Sequence, residues 1–297
     1  MRFDKLQPII WQGRTEPPFE FRTNILSPHT VVMPIYHHYG YAMLGYYSAL
    51  SFALNTDLHT VDFRIACDGG MRPFLERLFP GVPLVETENK YTFLQQFADK
   101  ERLTIIDADL FCSGVYYPFF QELERQRSPF MMGCEIRDTA HQAIDDWANS
   151  NKTPWRTGDE ARAEFRKVAG MDHIFTTDQR WFQAWLTCIR MQELELVFWE
   201  LVNHFQAHWH NDETVYMAYC QAIRLQPALV DQMVPLYYPY AHPLFPNLPE
   251  EDLFNPGKPK FQLAHPCGYP ADHATIWDYY SRLVNGAGAI TDFVQQV

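Results

Sequence analysis

Apolar positions along the chain come in short runs whose spacing alternates between the strand period of two and the helix period of 3.6. Residues 30–33 (TVVM) form a β-branched run stopped by Pro34. Residues 41–54 carry apolar side chains at helical spacing with few breakers, which predicts a helix. Residues 61–67 (VDFRIAC) predict a second strand, closed by the turn signal Asp68-Gly69-Gly70. A short helix over 72–79, a strand over 83–85 and a helix over 91–98 follow, and they feed the run Leu103-Thr104-Ile105-Ile106. Strands alternating with helices in this order predict an α/β fold with a mostly parallel central sheet and helices on both faces. Further on, 115–126 is expected to be helical despite Pro118, and 130–134 (FMMGC) a strand with Glu135 just past its end. Residues 138–170 read as a polar helical insertion, and 181–205 as a long, aromatic-rich amphipathic stretch facing the core. Residues 227–270 hold 10 of the 21 prolines, which predicts an extended C-terminal strap rather than regular structure. Its tyrosines and phenylalanines favour packing over disorder.

The run at 103–106 leads straight into Asp107-Ala108-Asp109. A buried parallel strand reads as a continuous apolar run, and open α/β sheets place ligands at its carboxyl end. Two carboxylates so close repel each other unless a cation or a proton neutralises them. Oxygen ligands of this kind suit a hard divalent ion that also grips a phosphate. A solvated turn, or an Asx cap on the next helix, is the alternative at this point.

Composition narrows the class. The chain has 297 residues, 47% of them hydrophobic, enough for one large α/β domain. A single domain over 1–297 is expected, with a core over about 30–225 and the proline-rich extension over about 226–297. The net charge of −12 argues against non-specific binding to nucleic acid or to an anionic membrane, which needs a basic face. Six scattered cysteines, none in a C-x-x-C pair, predict buried thiols in a reducing compartment. The first ten residues lack the apolar core of a signal peptide, and no apolar run approaches the ~20 residues needed to span a bilayer. A cytoplasmic protein without an integral membrane segment is expected.

Several stretches resemble one family in their order. The run 31–55 looks like a first strand, nucleotide loop and following helix, and VDFRIACDGG like a second strand and turn. NKYTFLQQFADKERLTIIDADLF is similar to a run from a donor-contacting basic residue to a D-x-D strand. HNDETVYMAYC resembles a late acidic pair opening a helix, and FQLAHPCGYP a late histidine followed by a glycine three residues on. Together these resemble the GT-A-type glycosyltransferases, metal-dependent enzymes that use nucleotide-sugars. The branch most like it includes glycogenin and bacterial galactosyl- and glucosyltransferases.

The resemblance implies a sugar transfer from a nucleotide-diphosphate donor, UDP-linked, to a carbohydrate or other hydroxyl acceptor, with Mn2+ or Mg2+. It implies that Asp107 meets the ribose and the metal, that Asp109 ligates the metal, and that His265 is a third ligand. It implies that Lys90 contacts the diphosphate or sugar, and that Pro34, Tyr36 and His37 lie against the base. Asp212 and Glu213 would line the sugar and acceptor side, one of them as general base if the reaction inverts configuration. The same two acids, preceded by Asn211, also suit an ordinary helix N-terminus. The branch's lysine after the late glycine is missing from Gly268-Tyr269-Pro270-Ala271-Asp272, so the donor sugar stays open. His204 and His208 share a helical face, but no glutamate follows His204 as metal-hydrolase patterns require. Trp181, Trp185 and Trp199 read as core, and Trp209 as a candidate stacking surface. Three rivals remain. One is a D-x-D phosphohydrolase, whose motif normally sits near the start of its fold. Another is a sugar nucleotidyltransferase, whose glycine- and arginine-rich loop is absent between Val31 and Tyr41. The last is a degenerate GT-A domain that binds without turnover.

Overall fold

The computed structural model describes residues 21–36, 39–88, 92–112, 116–149, 153–205, 212–234, 236–237 and 263–264. The central sheet has seven strands: β1 (His29–Ile35), β2 (Asp62–Cys67), β3 (Leu84–Glu86), β4 (Arg102–Ile106), β6 (Phe130–Met132), β9 (Leu186–Arg190) and β10 (Ala228–Leu229). Their spatial order is β10-β6-β9-β4-β1-β2-β3. Six strands run one way, and β9 alone runs antiparallel, between β4 and β6. This is the mixed α/β architecture, with a mostly parallel sheet, that the pattern predicts. Every residue of β4 is buried, so both faces of the sheet are covered there.

Seven α-helices stand among the described residues: α1 (Tyr39–Asn55), α2 (Arg72–Leu78), α3 (Phe119–Arg125), α4 (Ala140–Ala148), α5 (Gly158–Ala169), α6 (Leu196–Phe205) and α7 (Asp212–Ala222). Two smaller sheets complete the fold. In one, β5 (Phe111–Cys112) pairs antiparallel with β12 (Leu263–Ala264), which pairs with β11 (Leu236–Tyr237). In the other, β7 (Cys134–Thr139) pairs antiparallel with β8 (Arg180–Gln183).

The departures from the pattern have physical reasons. The helix expected over 91–98 is one 3-10 turn, Leu94–Phe97; Phe93, Leu94 and Phe97 bury themselves within that turn. The helix expected from 115 starts at Phe119, because Pro118 takes the cap position. Pro118 bears no amide hydrogen, and the buried carboxylate of Asp57 caps the helix from elsewhere, accepting from Phe120 N at 2.9 Å and Gln121 N at 3.0 Å. The stretch 181–205 is not one element but two strands followed by a helix, with Trp181 and Trp185 buried in the core as expected. The insertion over 138–170 is helical, as α4 and α5, after a strand that runs to Thr139.

The strap over 227–270 contributes strands at β10, β11 and β12. The expectations for His37, Lys90, Trp209 and His265 fall outside the described residues.

Candidate functional site

The strand order makes a topological switch. From β1 the chain goes to β2 and β3 on one side, then returns to lay β4 on the other. A crevice opens at the carboxyl ends of the two strands flanking such a point. Thr30 to Val32 pair in parallel with Leu103 to Ile105. Two residues further along that register, Pro34 stands level with Asp107. Pro34 and the acidic turn thus lie toward the carboxyl ends of two adjacent parallel strands.

The aspartates occupy a tight turn. Leu110 N donates to Asp107 O at 3.1 Å, and Asp107 N donates to Trp185 O at 2.9 Å. Asp107 is half-buried. Asp109 is 8% exposed, and Ala108 between them is buried. Helix α1 grips the chain immediately beyond. Ser48 Oγ donates to the Leu110 carbonyl. Ser51 Oγ accepts from Cys112 N at 2.9 Å, and Asn55 Nδ2 donates to Cys112 O at 3.3 Å. Gly45, on the same helix, allows close approach to β1: a Cβ there would stand 2.5 Å from Ile35 Cδ1. The sequence reading missed these three polar residues. Their signal was present, as polar side chains at 48, 51 and 55, a helical spacing on an otherwise apolar segment.

Tyr36 follows β1, half-buried, with its hydroxyl 2.6 Å from Thr87 Oγ1 beyond β3. Cys67 ends β2, where burial pushes its thiol up to about 11, so it stays protonated at neutral pH. Asp212 and Glu213 occupy the first turn of α7, with Asp212 6% exposed. Helix α7 reaches the same region through β8: Phe182 N donates to Met217 Sδ at 3.4 Å, and β8 leads within two residues to Trp185. Pro34 lies in β1 and Asp107 and Asp109 directly follow the neighbouring strand β4, while Tyr36 bonds toward Thr87 and Asp212 and Glu213 open α7.

The donor set can be weighed against a divalent ion. Among the described residues, no three of His, Cys, Asp and Glu gather as a metal site. A pair of carboxylates in one turn, one buried and one half-buried, fits an ion that keeps most of its positions for phosphate oxygens and water. Strand β12 runs antiparallel to β5, with Ala264 opposite Phe111. The residue after Ala264 is His265, and Asp109 lies two residues before Phe111.

No protein-family model matches the chain, and no curated protein matches it in sequence. Solved structures resemble it in fold. It is similar to WbbM, a bifunctional glycosyltransferase in its apo form, at 14% identity and a TM-score of 0.48, over 91% of this chain and 52% of that one. The chain thus spans about half the length of WbbM. It is similar to mouse xyloside xylosyltransferase 1, also apo, at 9% identity and a TM-score of 0.47, over 81% of this chain and 98% of the other. It is also similar to galactosyltransferase LgtC in complex with donor and acceptor sugar analogs, at 9% identity and a TM-score of 0.46, over 90% and 100%. These structural neighbours are glycosyltransferases. No helix among the described residues is long and apolar enough to cross a membrane.

Proposed function

We propose that the protein transfers a glycosyl group from a nucleoside-diphosphate sugar to a hydroxyl acceptor, using a divalent cation held by Asp107 and Asp109. The observation that supports this reading is the acidic turn directly after β4, at the switch point beside β1. A donor's nucleoside would lie along the ends of β1 and β2, against Pro34, Tyr36 and His37, with its diphosphate toward Asp107. Mn2+ or Mg2+, when bound, neutralises charge growing on the leaving diphosphate. Asp109, buried and gripped from behind by Ser48 and Ser51 through the following residues, keeps its carboxylate in place for that ion. His265 completes the ligand set, and Lys90 contacts the diphosphate or sugar. One of Asp212 and Glu213 accepts the acceptor proton in an inverting reaction, or both orient the sugar in a retaining one. The single catalytic domain extends over the whole chain, the strap included, and acts in the cytoplasm.

Thermal shift with UDP, with and without Mn2+, followed by a hydrolysis screen of nucleotide-sugars, tests the reading. Metal-dependent stabilisation by the nucleotide, with slow donor hydrolysis, is the expected result. Nucleotide binding indifferent to metal would overturn it. Phosphate release from simple esters without any nucleotide would redirect the assignment to a phosphohydrolase, and binding without hydrolysis to a non-catalytic module.

A further inference from the structure

A cavity of about 400 Å³ opens at the far end of α7. Its walls include His173, Thr176, Gln179, Gln221, Arg224 and Gln226. Helix α7 has 11 residues, so this cavity lies about 16 Å along the helix from the Asp212 end, at 1.5 Å per residue. The chain carries a net charge of −12, yet the lining holds an arginine and a histidine and neither Asp nor Glu. Of the acids adjacent in sequence, Asp178 is engaged with His141 N at 3.2 Å, and Asp172 is outside the lining.

Two departures from relaxed geometry flank the cavity. Phe175 and Arg224 are the only described non-glycine residues with positive φ, at 52° and 55°. Such conformations persist where surrounding structure enforces them, and they concentrate at ligand sites. Phe175 is pinned by three contacts: Gln221 Oε1 accepts from its amide at 2.7 Å, and its carbonyl accepts from Arg166 and faces His141 Nε2. Arg224 stands at the helix C-cap, where glycine carries no such strain. Arg224 is exposed and forms part of the cavity wall. At the floor, Gln221 Nε2 is buried and has no hydrogen-bond partner among the described residues.

A helix C-terminus repels an anion when its last carbonyls are open. Here three of the last four, at Tyr219, Cys220 and Gln221, are bonded. Tyr219 O accepts from Ile223 N, Cys220 O from Leu225 N, and Gln221 O from Arg224 N and lies 2.9 Å from His173 Nε2. The wall combines the cationic Arg224 with threonine and glutamine residues, and the Thr176 hydroxyl, which donates to His173 O at 2.9 Å, keeps its lone pairs for a ligand. Guanidinium pairs bidentately with a carboxylate, while threonine and glutamine side chains exchange hydrogen bonds with hydroxyls.

We propose that this cavity binds a hydroxylated carboxylate of the sugar-acid class, with Arg224 holding the carboxylate and Thr176, Gln179 and Gln226 reading the hydroxyls. The ligand is either a free sugar acid or an acidic residue of a longer glycan. The proposal is independent of the metal and nucleotide reading, because its test uses neither.

The test titrates glucuronate into the full chain, with glucose and acetate as controls, followed by ligand-observed NMR and by thermal shift. Saturable glucuronate binding that exceeds both controls is expected. Arg224→Gly should weaken it roughly tenfold or more, the scale of a lost charge-assisted pair. The same substitution should leave the melting temperature unchanged or higher, because it removes a left-handed non-glycine residue. A short oligosaccharide with one uronic acid, binding more tightly than the monomer, marks the glycan as the source; equal affinity marks the free acid. Glucose binding as well as glucuronate would overturn the proposal. So would an Arg224→Gly variant, folded as the parent, that binds glucuronate equally.

Discussion

The amide of Asp107 donates to the carbonyl of Trp185 across 2.9 Å, so the first acid of the turn is fastened to the antiparallel strand beside it. Trp185 is itself seated on Gly133: a Cβ at that glycine would come within 2.1 Å of the indole. Gly133→Ala therefore drives Trp185 from its seat and shifts the turn it holds. The variant should lose about 1–3 kcal/mol, the scale of core overpacking, and should also bind nucleotide more weakly with metal present. Denaturant midpoints and the UDP thermal shift measure the two effects. Full stability in the variant would mean that the indole re-seats freely.

Ser51 is buried and serves two partners, donating to Ser48 O at 2.6 Å and accepting from Cys112 N at 2.9 Å. Ser51→Ala leaves the Cys112 amide without its side-chain acceptor. The expected cost is about 1–3 kcal/mol by chemical denaturation. Looser metal-dependent nucleotide binding should accompany it, since Cys112 is three residues from Asp109. A loss of stability with unaltered binding would confine Ser51 to the core.

For the acids themselves, Asp109→Asn should abolish metal-dependent nucleotide binding while the circular dichroism and melting curve stay close to the parent's. His265→Ala should weaken metal affinity by ~10-fold or more, in keeping with loss of a ligand or its support. Metal titration of each variant decides both, and an unchanged isotherm for Asp109→Asn would remove the metal from this turn.

His29 offers a pH test away from the site. It is 1% exposed, with Nε2 2.7 Å from Thr104 Oγ1 and Nδ1 3.3 Å from Glu124. Burial pushes its pKa below the ordinary 6.5 against the opposing pull of Glu124. The His29 hydrogen bond in turn holds the Glu124 carboxyl below its ordinary range. These two shifts favour different protonation states of the ring. Nearly complete burial decides for the neutral imidazole, and the Glu124 contact is then a plain hydrogen bond. The unfolded chain binds the proton that the folded one refuses, so stability falls as pH drops below about 6.5. For one proton the slope approaches ~1.4 kcal/mol per pH unit at most. The depressed Glu124 adds a loss of the same sign at lower pH. Denaturation at pH 5 to 7 should show His29→Gln with a flatter profile than the parent; parallel profiles would clear His29 of the effect.

What the sequence disclosed, it disclosed through period and punctuation. β1, β2 and β4 lie within about two residues of their expected bounds, because the apolar runs are short and punctuated, though β1 runs through Pro34 to Ile35 rather than stopping there. The strand β9 was hidden. Leu186–Arg190 is a five-residue run with four buried positions, and its neighbours continue the apolar pattern on both sides, so no period separates strand from helix there. The antiparallel insertion that anchors Asp107 was invisible for that reason. The position of Asp107 and Asp109 in a turn directly after a fully buried strand was legible, because a continuous apolar run ending in two acids marks that boundary. Ser48, Ser51 and Asn55 were not singled out, because hydroxyls and amides on a helix usually face water. Here they bond the backbone of Leu110 and Cys112.

The pairing of Cys112 with Leu263 has a consequence for how the molecule comes into being. These two residues are separated by 150 others in the chain, yet they lie side by side on the flank of the acidic turn. A ribosome has therefore finished most of the polypeptide before the strand beside Asp109 can receive its mate. The strands β1 to β9 are made well before that mate, so the flank of the acidic turn is completed by a late-made segment.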